Sequence, residues 1–325
     1  MMYFLFRRVA AAVPVMLITA LISFAAFRYI GDPVQNMLGP EATIEERARL
    51  AAELGLDKPF YEQFVRFISS VVQGNLGVST RIGRPVGQVI LERLPATLEL
   101  ALLSFVLAMS LGIILGVIAA LRPRSFIARA SMIGSLAAVS VPNFLISIAL
   151  IYVFSVRLGW LPSFGRGKTV QVGWWTTGLL TVSGLKSIIL PAISLATYQL
   201  TLILRLVRSE MLEVLSADYI RFARARGLPD RLVYFTYGLR NTLVPVVTIA
   251  GLQLGLIIAF AVVTETVFQW PGVGLLFVNS IVYSDIPVMA SYILVVAMIF
   301  VTVNIVVDMI YFLIDPRLRN KEVRP

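Results

Sequence analysis

Six long apolar stretches leave this chain few folds that it could adopt. Each has about 20 or more mostly apolar residues, the length that an α-helix needs to cross the hydrocarbon core of a bilayer. Of all residues 58% are hydrophobic and only 14% are charged, which is far more apolar than a soluble domain. We therefore predict an all-α integral membrane protein whose six transmembrane helices cover roughly residues 9–30, 97–121, 130–156, 187–206, 242–263 and 287–314.

The first apolar stretch could be confused with a secretion signal, because Arg7 and Arg8 stand directly before it. A signal core has about 7–15 apolar residues and ends at a small-residue cleavage site. This stretch is longer, at about 20 residues, and no convincing cleavage site follows it. We expect it to be retained as a membrane anchor.

Basic residues between the stretches indicate the orientation, since short cytoplasmic loops carry an excess of Lys and Arg. An even number of spans puts both termini on one side, and residues 264–286 between the last two spans contain no Lys or Arg. We predict both termini in the cytoplasm, one transmembrane domain over residues 1–325, an outer segment at 31–94 and a cytoplasmic coupling loop at 207–241. Besides those of the loop, the basic residues of the cytoplasmic face are Arg7, Arg8, Arg122, Arg124, Arg129, Arg317, Arg319, Lys321 and Arg324.

The formal net charge of +10 follows from this topology. In the outer segment, seven basic residues are offset by eight acidic ones, so the excess positive charge belongs to the cytoplasmic face. Such charge beside a membrane attracts anionic lipid headgroups, and no nucleic-acid-binding pattern accompanies it. We expect the basic residues of the cytoplasmic face to contact membrane lipid and no nucleic acid.

The chain contains neither cysteine nor histidine. These residues provide disulfides, thiolate nucleophiles, the commonest zinc ligands and the usual general base near neutral pH. The predicted spans also contain no two carboxylates close together in sequence. We therefore expect no catalytic residues and no metal site, and a membrane-embedded enzyme is disfavoured.

Two acidic residues, Glu99 and Asp308, lie within predicted spans. Carboxylates within a membrane are functional candidates by default, but both lie within a few turns of a span end. Polar contacts between helices are an equal alternative to a place in a transport pathway. A self-sufficient secondary carrier would need more charge in the membrane than this, and no inverted internal repeat is visible.

Two local patterns have more than one interpretation. The segment PSFGRGKT, residues 162–169, differs from a phosphate-binding loop only at its first position, but no strand precedes it and no fitting helix follows, so we expect an accidental match. Glycines at i and i+4 spacing permit close helix crossings, either inside the bundle or against another subunit. These pairs are Gly112 with Gly116 and Gly251 with Gly255.

Two short amphipathic helices are predicted in the outer segment. Thr43 suits the cap of the first helix, and Gly55 followed by Pro59 suits its end. Such helices lie on the bilayer surface or form a docking surface for an external partner, and the pattern alone favours the bilayer. The second helix, from Pro59 to about Val72, has on one side Phe60, Phe64, Phe67, Ile68 and Val71.

The cytoplasmic loop contains an arginine-rich stretch, DYIRFARARGLPDRLVYFTYGLRNTLVP, at residues 218–245. Ser216 or Asp218 can cap a short helix, which Gly227 ends in the left-handed conformation that glycine adopts at little cost. Pro229 suits the start of a second helix. The stretch therefore predicts a helix, a turn and a second helix that returns to the membrane.

One face of the first cytoplasmic helix combines Tyr219, Ala223 and Gly227 at i, i+4 spacing. The two small residues would let another surface approach the backbone closely, and the neighbouring arginines could pair with acidic groups on it. A helix held at the interface by anionic lipid headgroups is equally compatible with the charge.

The arginine-rich stretch resembles the cytoplasmic loop of bacterial ABC-importer permeases of the peptide/nickel family. That family commonly carries Tyr-[VI]-Arg-x-Ala-Arg-Ala-[KR]-Gly and then Leu-Arg-Asn-x-Leu-[IV]-Pro, found here at residues 219–227 and 239–245. The more general E-A-A-x-x-x-G pattern matches only at Ala223 and Gly227, since Arg221 replaces its Glu. Further matches, in order, are GDPV, LGPEAT, ELGLDKP, GNLGVS, LERLPATLELAL, SVPNFL, ETVFQWPGVGLL and DPRLR.

The resemblance implies the ABC importer type I permease fold, in the first-permease type with a long outer segment, and a place in the bacterial inner membrane. It implies a second homologous permease, two cytoplasmic ATPase subunits and an external solute-binding protein as partners. No cofactor is expected in this chain, because the ATPases bind ATP. The residues implied to contact an ATPase are Tyr219, Arg221, Phe222, Ala223, Arg224, Arg226, Gly227 and Pro229.

The expected cargo is a peptide or peptide-like solute. The family also imports nickel, but nothing in this sequence resembles a metal site, so nickel remains the alternative within the family. The external solute-binding protein largely makes the selection, and it is another chain.

A Trp-Pro-Gly loop between the fifth and sixth spans is the second candidate site. Aromatic residues at an outer loop commonly anchor a protein at the membrane interface. The equal alternative is that the loop folds inward and helps to close the outer mouth of the pathway. Its residues are Phe268, Trp270, Pro271, Gly272 and Gly274.

Overall fold

The computed structural model describes residues 2–29, 38, 43–53 and 58–314, and apolar helices dominate it. Between the helices lies one antiparallel hairpin, in which Val170–Val172 pairs with Trp175–Thr177. The helices, in chain order, are α1 (Met2–Tyr29), α2 (Ile44–Glu53), α3 (Phe60–Val72), α4 (Val86–Leu121), α5 (Phe126–Ser140), α6 (Asn143–Arg157), α7 (Val182–Ser216), α8 (Asp218–Ala225), α9 (Asp230–Val267), α10 (Val273–Val282) and α11 (Ile286–Ile314).

Helices α1, α4, α7, α9 and α11 are each long and apolar enough to cross a membrane, and α5 with α6 forms a sixth, bent segment. The predicted fold class, a six-segment α-helical membrane protein, is therefore confirmed. Within the described ranges the short hairpin before α7 is the departure from an all-α chain.

The third apolar stretch, predicted as a span at residues 130–156, is a bent pair of helices. Helices α5 and α6 meet there at an angle of 113°. The cause is Pro142, which has no backbone N–H and forces the preceding residue, Val141, out of the helical conformation to φ −101° and ψ 126°. Pro142 then occupies the position directly before α6, where its missing donor costs nothing.

Helices α4 and α7 lie against each other along most of their length. Their backbones approach closely because α4 has glycines at the crossing. A β-carbon placed on Gly112 would lie 2.8 Å from Ile203, and one on Gly116 would lie 2.7 Å from Val207. In the same way, side chains of α11 occupy the space where β-carbons on Gly251 and Gly255 of α9 would lie. Both glycine pairs therefore serve packing inside the bundle, which decides between the two interpretations of their spacing.

The centre of the bundle lies where α4, α7 and α9 meet. Leu100, Ile188 and Ile257 contribute one buried side chain from each of these helices, and Trp270 closes the cluster from the loop after α9. Two further buried clusters continue this core along the bundle, one formed by α4 with α10 and α11, and one by α4 with α7 and α9. The core thus joins α4, α7, α9 and α11. Helix α1 packs on α11, and the bent α5–α6 segment packs on α4, α7 and α9 from outside these clusters.

The two amphipathic helices of the outer segment are present as α2 and α3. The backbone N–H and the hydroxyl of Thr43 both donate to Glu46 at 2.9 Å, and these hydrogen bonds lower the pKa of Glu46. Helix α3 turns its phenylalanines onto α1, where the ring of Phe24 lies 5.2 Å from that of Phe60 and 5.5 Å from that of Phe67. Its apolar face therefore packs largely on the chain itself. Gly55 lies outside the described residues.

Candidate functional site

The cytoplasmic loop between α7 and α9 contains the short helix α8 with a break in the helix at each end. Ala217 is extended, and Gly227 has a φ of +72°. No side chain caps α8: Ser216 donates to a carbonyl of α7, and Asp218 faces Arg221 at 3.4 Å. The prediction of a Ser216 or Asp218 cap is therefore wrong, whereas the left-handed Gly227 is confirmed.

One face of α8 packs against the chain's own helices. Ile220 and Ala223 are buried together with Val233 of α9. The amide of Asn241 donates to the hydroxyl of Tyr219 at 3.2 Å, which fastens α8 to α9 a second time. Ala223 is only 5% exposed, so its side chain faces the chain's own helices in this structure. Its contact with an ATPase stays a prediction.

The opposite face of α8 is exposed and basic. Phe222, which is 63% exposed, stands among the exposed residues Arg221, Arg224 and Arg226. The guanidinium of Arg226 lies 5.6 Å from the Phe222 ring centroid, and that of Arg224 lies 5.9 Å from the Tyr234 ring centroid. The surface that α8 presents is therefore an aromatic side chain framed by guanidinium groups.

Helix α8 is joined closely to two spans. After Pro229, helix α9 runs from the cytoplasmic loop into the membrane through a π-helical section, Val233–Leu239. A β-carbon on Gly238 would lie 3.1 Å from Met211 of α7, and the hydroxyl of Thr242 lies 3.5 Å from the Met211 sulfur. The tight contact means that α7, α8 and α9 are packed as one unit at the cytoplasmic end.

The Trp-Pro-Gly loop folds into the bundle at its outer end. Phe268 and Trp270 are each 1% exposed, and the indole N–H of Trp270 donates to the carbonyl of Ala96 at 2.9 Å. These aromatic rings therefore contact neither lipid nor solvent, which excludes the interface-anchor interpretation. Pro271 remains exposed, and Gly272 leads into α10.

A buried carboxylate, Glu265, holds the Trp-Pro-Gly loop in place. Its Oε1 accepts the hydroxyl of Thr97 at 2.6 Å, and its Oε2 accepts the N–H of Leu275 at 2.9 Å. The carboxylate fills the space above Gly272 and Gly274, so that β-carbons at these positions would collide with it. The two glycines are thus required for packing. Glu265 is not among the site residues predicted from the sequence, although it belongs to the same motif.

The other acidic residue of interest, Glu99, has a structural partner. Arg166 donates to Glu99 Oε2 at 2.6 Å, the Trp175 indole donates to Oε1 at 3.0 Å, and both charged side chains are more than nine-tenths buried. Arg166 belongs to the PSFGRGKT segment, so this segment fastens the hairpin to α4 and holds no phosphate-loop geometry. The signal that sequence analysis missed is that a buried carboxylate needs a cation nearby. The side chain of Asp308 lies outside the described part of the structure.

The described residues contain no group of three or more His, Cys, Asp or Glu side chains that could hold a metal ion. The chemistry of the two candidate sites is therefore that of contact and packing: an exposed basic face at one end of the bundle and a buried, hydrogen-bonded loop at the other.

Six apolar segments, a cytoplasmic helix packed on two of them and an inward-folded outer loop are the features of a membrane transport component. Comparison with protein families shows which kind of transport component this is. Residues 112–320 match the family described as binding-protein-dependent transport system inner membrane component, and residues 1–101 match the N-terminal domain described for the same membrane components. The chain belongs to this family, and it is therefore a multi-pass permease component of an inner membrane.

Curated relatives match along nearly the whole chain. A di/tripeptide transport system permease protein of Pseudomonas aeruginosa is 41% identical over 99% of this chain and 100% of its own length. A dipeptide transport system permease protein of Escherichia coli is 37% identical over 99% of this chain and 100% of its own length.

The fold also resembles that of a crystal structure described as an amino acid ABC transporter with histidines. The TM-score is 0.50 at 12% identity, covering 69% of this chain and 92% of the other. At this identity the likeness concerns the fold alone, and it agrees with the importer permease fold expected from the sequence.

Proposed function

We propose that this chain forms half of the translocation pathway of an ATP-driven importer for peptides or peptide-like solutes. Relatives at 37–41% identity over nearly the full chain are described as dipeptide or di/tripeptide permeases, and this agreement supports the substrate class. A second, homologous permease supplies the other half of the pathway. An external solute-binding protein delivers the peptide, in keeping with the family's description as binding-protein-dependent.

In this proposal two cytoplasmic ATPase subunits bind ATP, and this chain has no ATPase site or cofactor of its own. The exposed face of α8 is the contact with an ATPase. The main support for this assignment is the exposure of Phe222. Its side chain is 63% exposed and stands among arginines, whereas the other face of α8 is packed on α7 and α9. Aromatic residues, Phe among them, and Arg are enriched at protein interfaces relative to the rest of the surface.

Coupling then follows from the packing. If the ATPases hold α8 differently in their open and closed states, the difference in binding energy moves α8. Helix α8 is fastened to α9 through Val233 and Asn241, and its buried cluster also packs on Leu215 of α7. The two spans therefore move with α8 as a rigid body.

The Trp-Pro-Gly loop is proposed to form part of the outer gate. Trp270 and Phe268 occupy the centre of the outer end of the bundle, and the loop joins α9, which leads directly from the coupling helix, to α10. A displacement of α9 would therefore reach the loop without any intervening flexible segment.

The proposed function is tested by purification and uptake. The tagged chain, expressed with its partner subunits, should co-purify with two ATPases and a second permease. Right-side-out vesicles that carry the assembly should accumulate radiolabelled dialanine only when ATP is inside and the solute-binding protein is outside. Accumulation driven by an ion gradient without ATPases would instead show a secondary carrier, and uptake of nickel without uptake of peptides would contradict the substrate class.

A further inference from the structure

The bend between α5 and α6 leaves backbone groups unpaired inside a membrane segment. Pro142 interrupts the helix, and no side chain caps the start of α6. Among the described residues, the carbonyls of residues 138–141 and the N–H groups of Asn143 and Phe144 have no hydrogen-bond partner. Groups of this kind at a helix end in a loop would bond to water. The bend therefore needs hydrogen-bonding surroundings that this chain does not itself provide.

The bend also lies deep in the bundle. The side chain of Asn143 accepts the hydroxyl of Ser194 at 3.1 Å and donates to the hydroxyl of Thr264 at 3.2 Å. Ser194 stands near the middle of the stretch 187–206 that the sequence predicts as a span. Within a bilayer, non-helical backbone is tolerated only where protein buries it or where it lines a water-filled cavity. Val141 is 40% exposed, so this chain does not bury the bend.

A cavity of about 540 Å³ lies against the bend. Its volume falls within the range of about 300–1,000 Å³ that is typical of sites for small molecules. Residues of the bend form one wall, and α7 and α9 form the others. Two of the lining side chains are well exposed, Phe260 of α9 at 62% and Tyr198 of α7 at 52%. The cavity therefore opens at the surface of this chain.

The lining of the cavity is mostly apolar and carries no charge. Among the described residues that form it there is no Asp, Glu, Lys or Arg. Tyr198 adds a hydroxyl that has no hydrogen-bond partner in the described part of the chain. Such a wall offers a solute only weak contacts, and conduction requires contacts weak enough for the solute to leave. The lining thus suits the passage of a solute better than its tight binding.

We propose that this cavity is part of the water-filled passage through which the peptide crosses the membrane, with Tyr198, Phe260 and the bend as its wall. The inference rests on the proposed function and adds to it the face of this chain along which the peptide moves. Water in the passage pairs with the backbone groups of the bend. The apolar, uncharged wall accepts peptides with varied side chains.

Other surroundings fit the bend less well. Lipid acyl chains have no hydrogen-bond donor or acceptor, so its backbone groups and the Tyr198 hydroxyl would stay unpaired. A span of the second permease has its own backbone groups bonded within its helix, so only scattered polar side chains could pair with the bend. Water can donate and accept at every position, and a passing peptide brings further N–H and carbonyl groups.

The test uses the complete importer with partner subunits made without cysteine, since this chain has none of its own. Tyr198→Cys and Phe260→Cys place a thiol in the cavity on two different helices. The control is Ile18→Cys on α1, a position that is 59% exposed and does not line the cavity. During peptide uptake, we expect a charged methanethiosulfonate to label the two cavity thiols at least about tenfold faster than the control, because the reactive thiolate forms in water. After denaturation all three thiols should react alike.

A second measurement connects the cavity to the peptide. Uptake of radiolabelled dialanine is measured for each variant before and after the reaction, so that each variant is its own reference. The adduct on Tyr198→Cys or Phe260→Cys would occupy the passage, and dialanine uptake should fall to the level of vesicles without ATP. Treatment of Ile18→Cys should leave uptake unchanged.

Two results would overturn the inference while leaving the proposed function intact. One is labelling of both cavity thiols as slow as that of Ile18→Cys in every nucleotide state, which would place the cavity against lipid or the second permease. The other is rapid labelling without loss of uptake, which would make the cavity a wet recess outside the passage. If one variant fails to assemble, the other decides by the same comparison. Failure of the unaltered importer to take up any peptide would instead reject the proposed function itself.

Discussion

The hydroxyl of Thr97 donates to Glu265 across 2.6 Å, although the two residues lie 168 positions apart. Thr97 also accepts the N–H of Val273 at 2.8 Å, and the second carboxylate oxygen accepts the N–H of Leu275. Helix α4, the end of α9 and the start of α10 therefore meet at one buried carboxylate. A network of this kind is sensitive to small changes, because each member is left unpaired if another moves.

Replacing Gly274 by alanine should destabilise this network. The added β-carbon would lie 2.7 Å from the Cα of Val262 and 2.9 Å from Glu265, so backbone would have to shift. We expect a loss of about 1–3 kcal/mol in the free energy of unfolding, the usual cost of overpacking. Thermal unfolding in detergent measures it. The control is Gly134→Ala in α5, where the β-carbon has nothing within 4 Å; equal stability of the two variants would contradict the prediction.

The positions of the spans could be predicted from the sequence, but the contacts that the loops make could not. Length and apolarity fix a membrane helix, because the bilayer imposes both. The bend was also readable, since Pro142 stands in the middle of the third stretch. The burial of Trp270 was not, because an indole beside Pro-Gly suits a membrane interface as well as a protein core. Trp270 is buried in the protein because its indole N–H donates to the carbonyl of Ala96, and only the folded chain brings that carbonyl close to it.

Helix α8 shows the same limit at a single face. The i, i+4 spacing correctly puts Ala223 on one face of α8, but spacing does not say whether that face meets a partner or the chain itself. In the folded chain Val233, on the next helix, packs against Ala223. The arginines and Phe222 are left on the other side.

A single cysteine at Val273 should report movement of the Trp-Pro-Gly loop. The chain has no cysteine of its own, and Val273 is 3% exposed. If the loop is part of the outer gate, Val273→Cys should resist a membrane-impermeant maleimide in the resting importer and react when the ATPases hold ATP. Ile281→Cys, at a position that is 49% exposed on α10, serves as the control and should react in both states. Equal protection of Val273→Cys in every state would count against a gate.

Replacing one partner of the Glu99–Arg166 ion pair should lower the stability much more than replacing both. Arg166→Met leaves a buried carboxylate without its cation, so we expect a loss of about 3–5 kcal/mol in unfolding free energy. Adding Glu99→Leu should recover most of that loss, because apolar side chains replace buried ion pairs at little cost. Denaturation in detergent compares the two variants. Arg84→Ala, which breaks a pair with both side chains about half exposed, should change stability by less than about 1 kcal/mol.

Two neighbouring residues of α8 should respond to substitution in opposite ways. Ala223→Leu adds volume to the closed cluster of Ile220 and Val233, so it should lower stability by about 1–3 kcal/mol. Phe222→Ala removes an exposed side chain, so stability should change by less than about 0.5 kcal/mol, whereas association with the ATPases should weaken at least about fivefold, the effect of losing roughly 1 kcal/mol at an interface.

Thermal unfolding of the isolated chain and titration of the ATPases onto the purified permease pair separate these two effects. Phe126→Ala provides the control, since Phe126 is an 84% exposed aromatic at the start of α5, outside the loop between α7 and α9. If Phe222→Ala binds the ATPases as tightly as this control, the exposed face of α8 is not the contact. If instead Ala223→Leu alone weakens binding at unchanged stability, the ATPase must reach the face that packs on α9, and the rigid connection between α8 and the spans would have to open first.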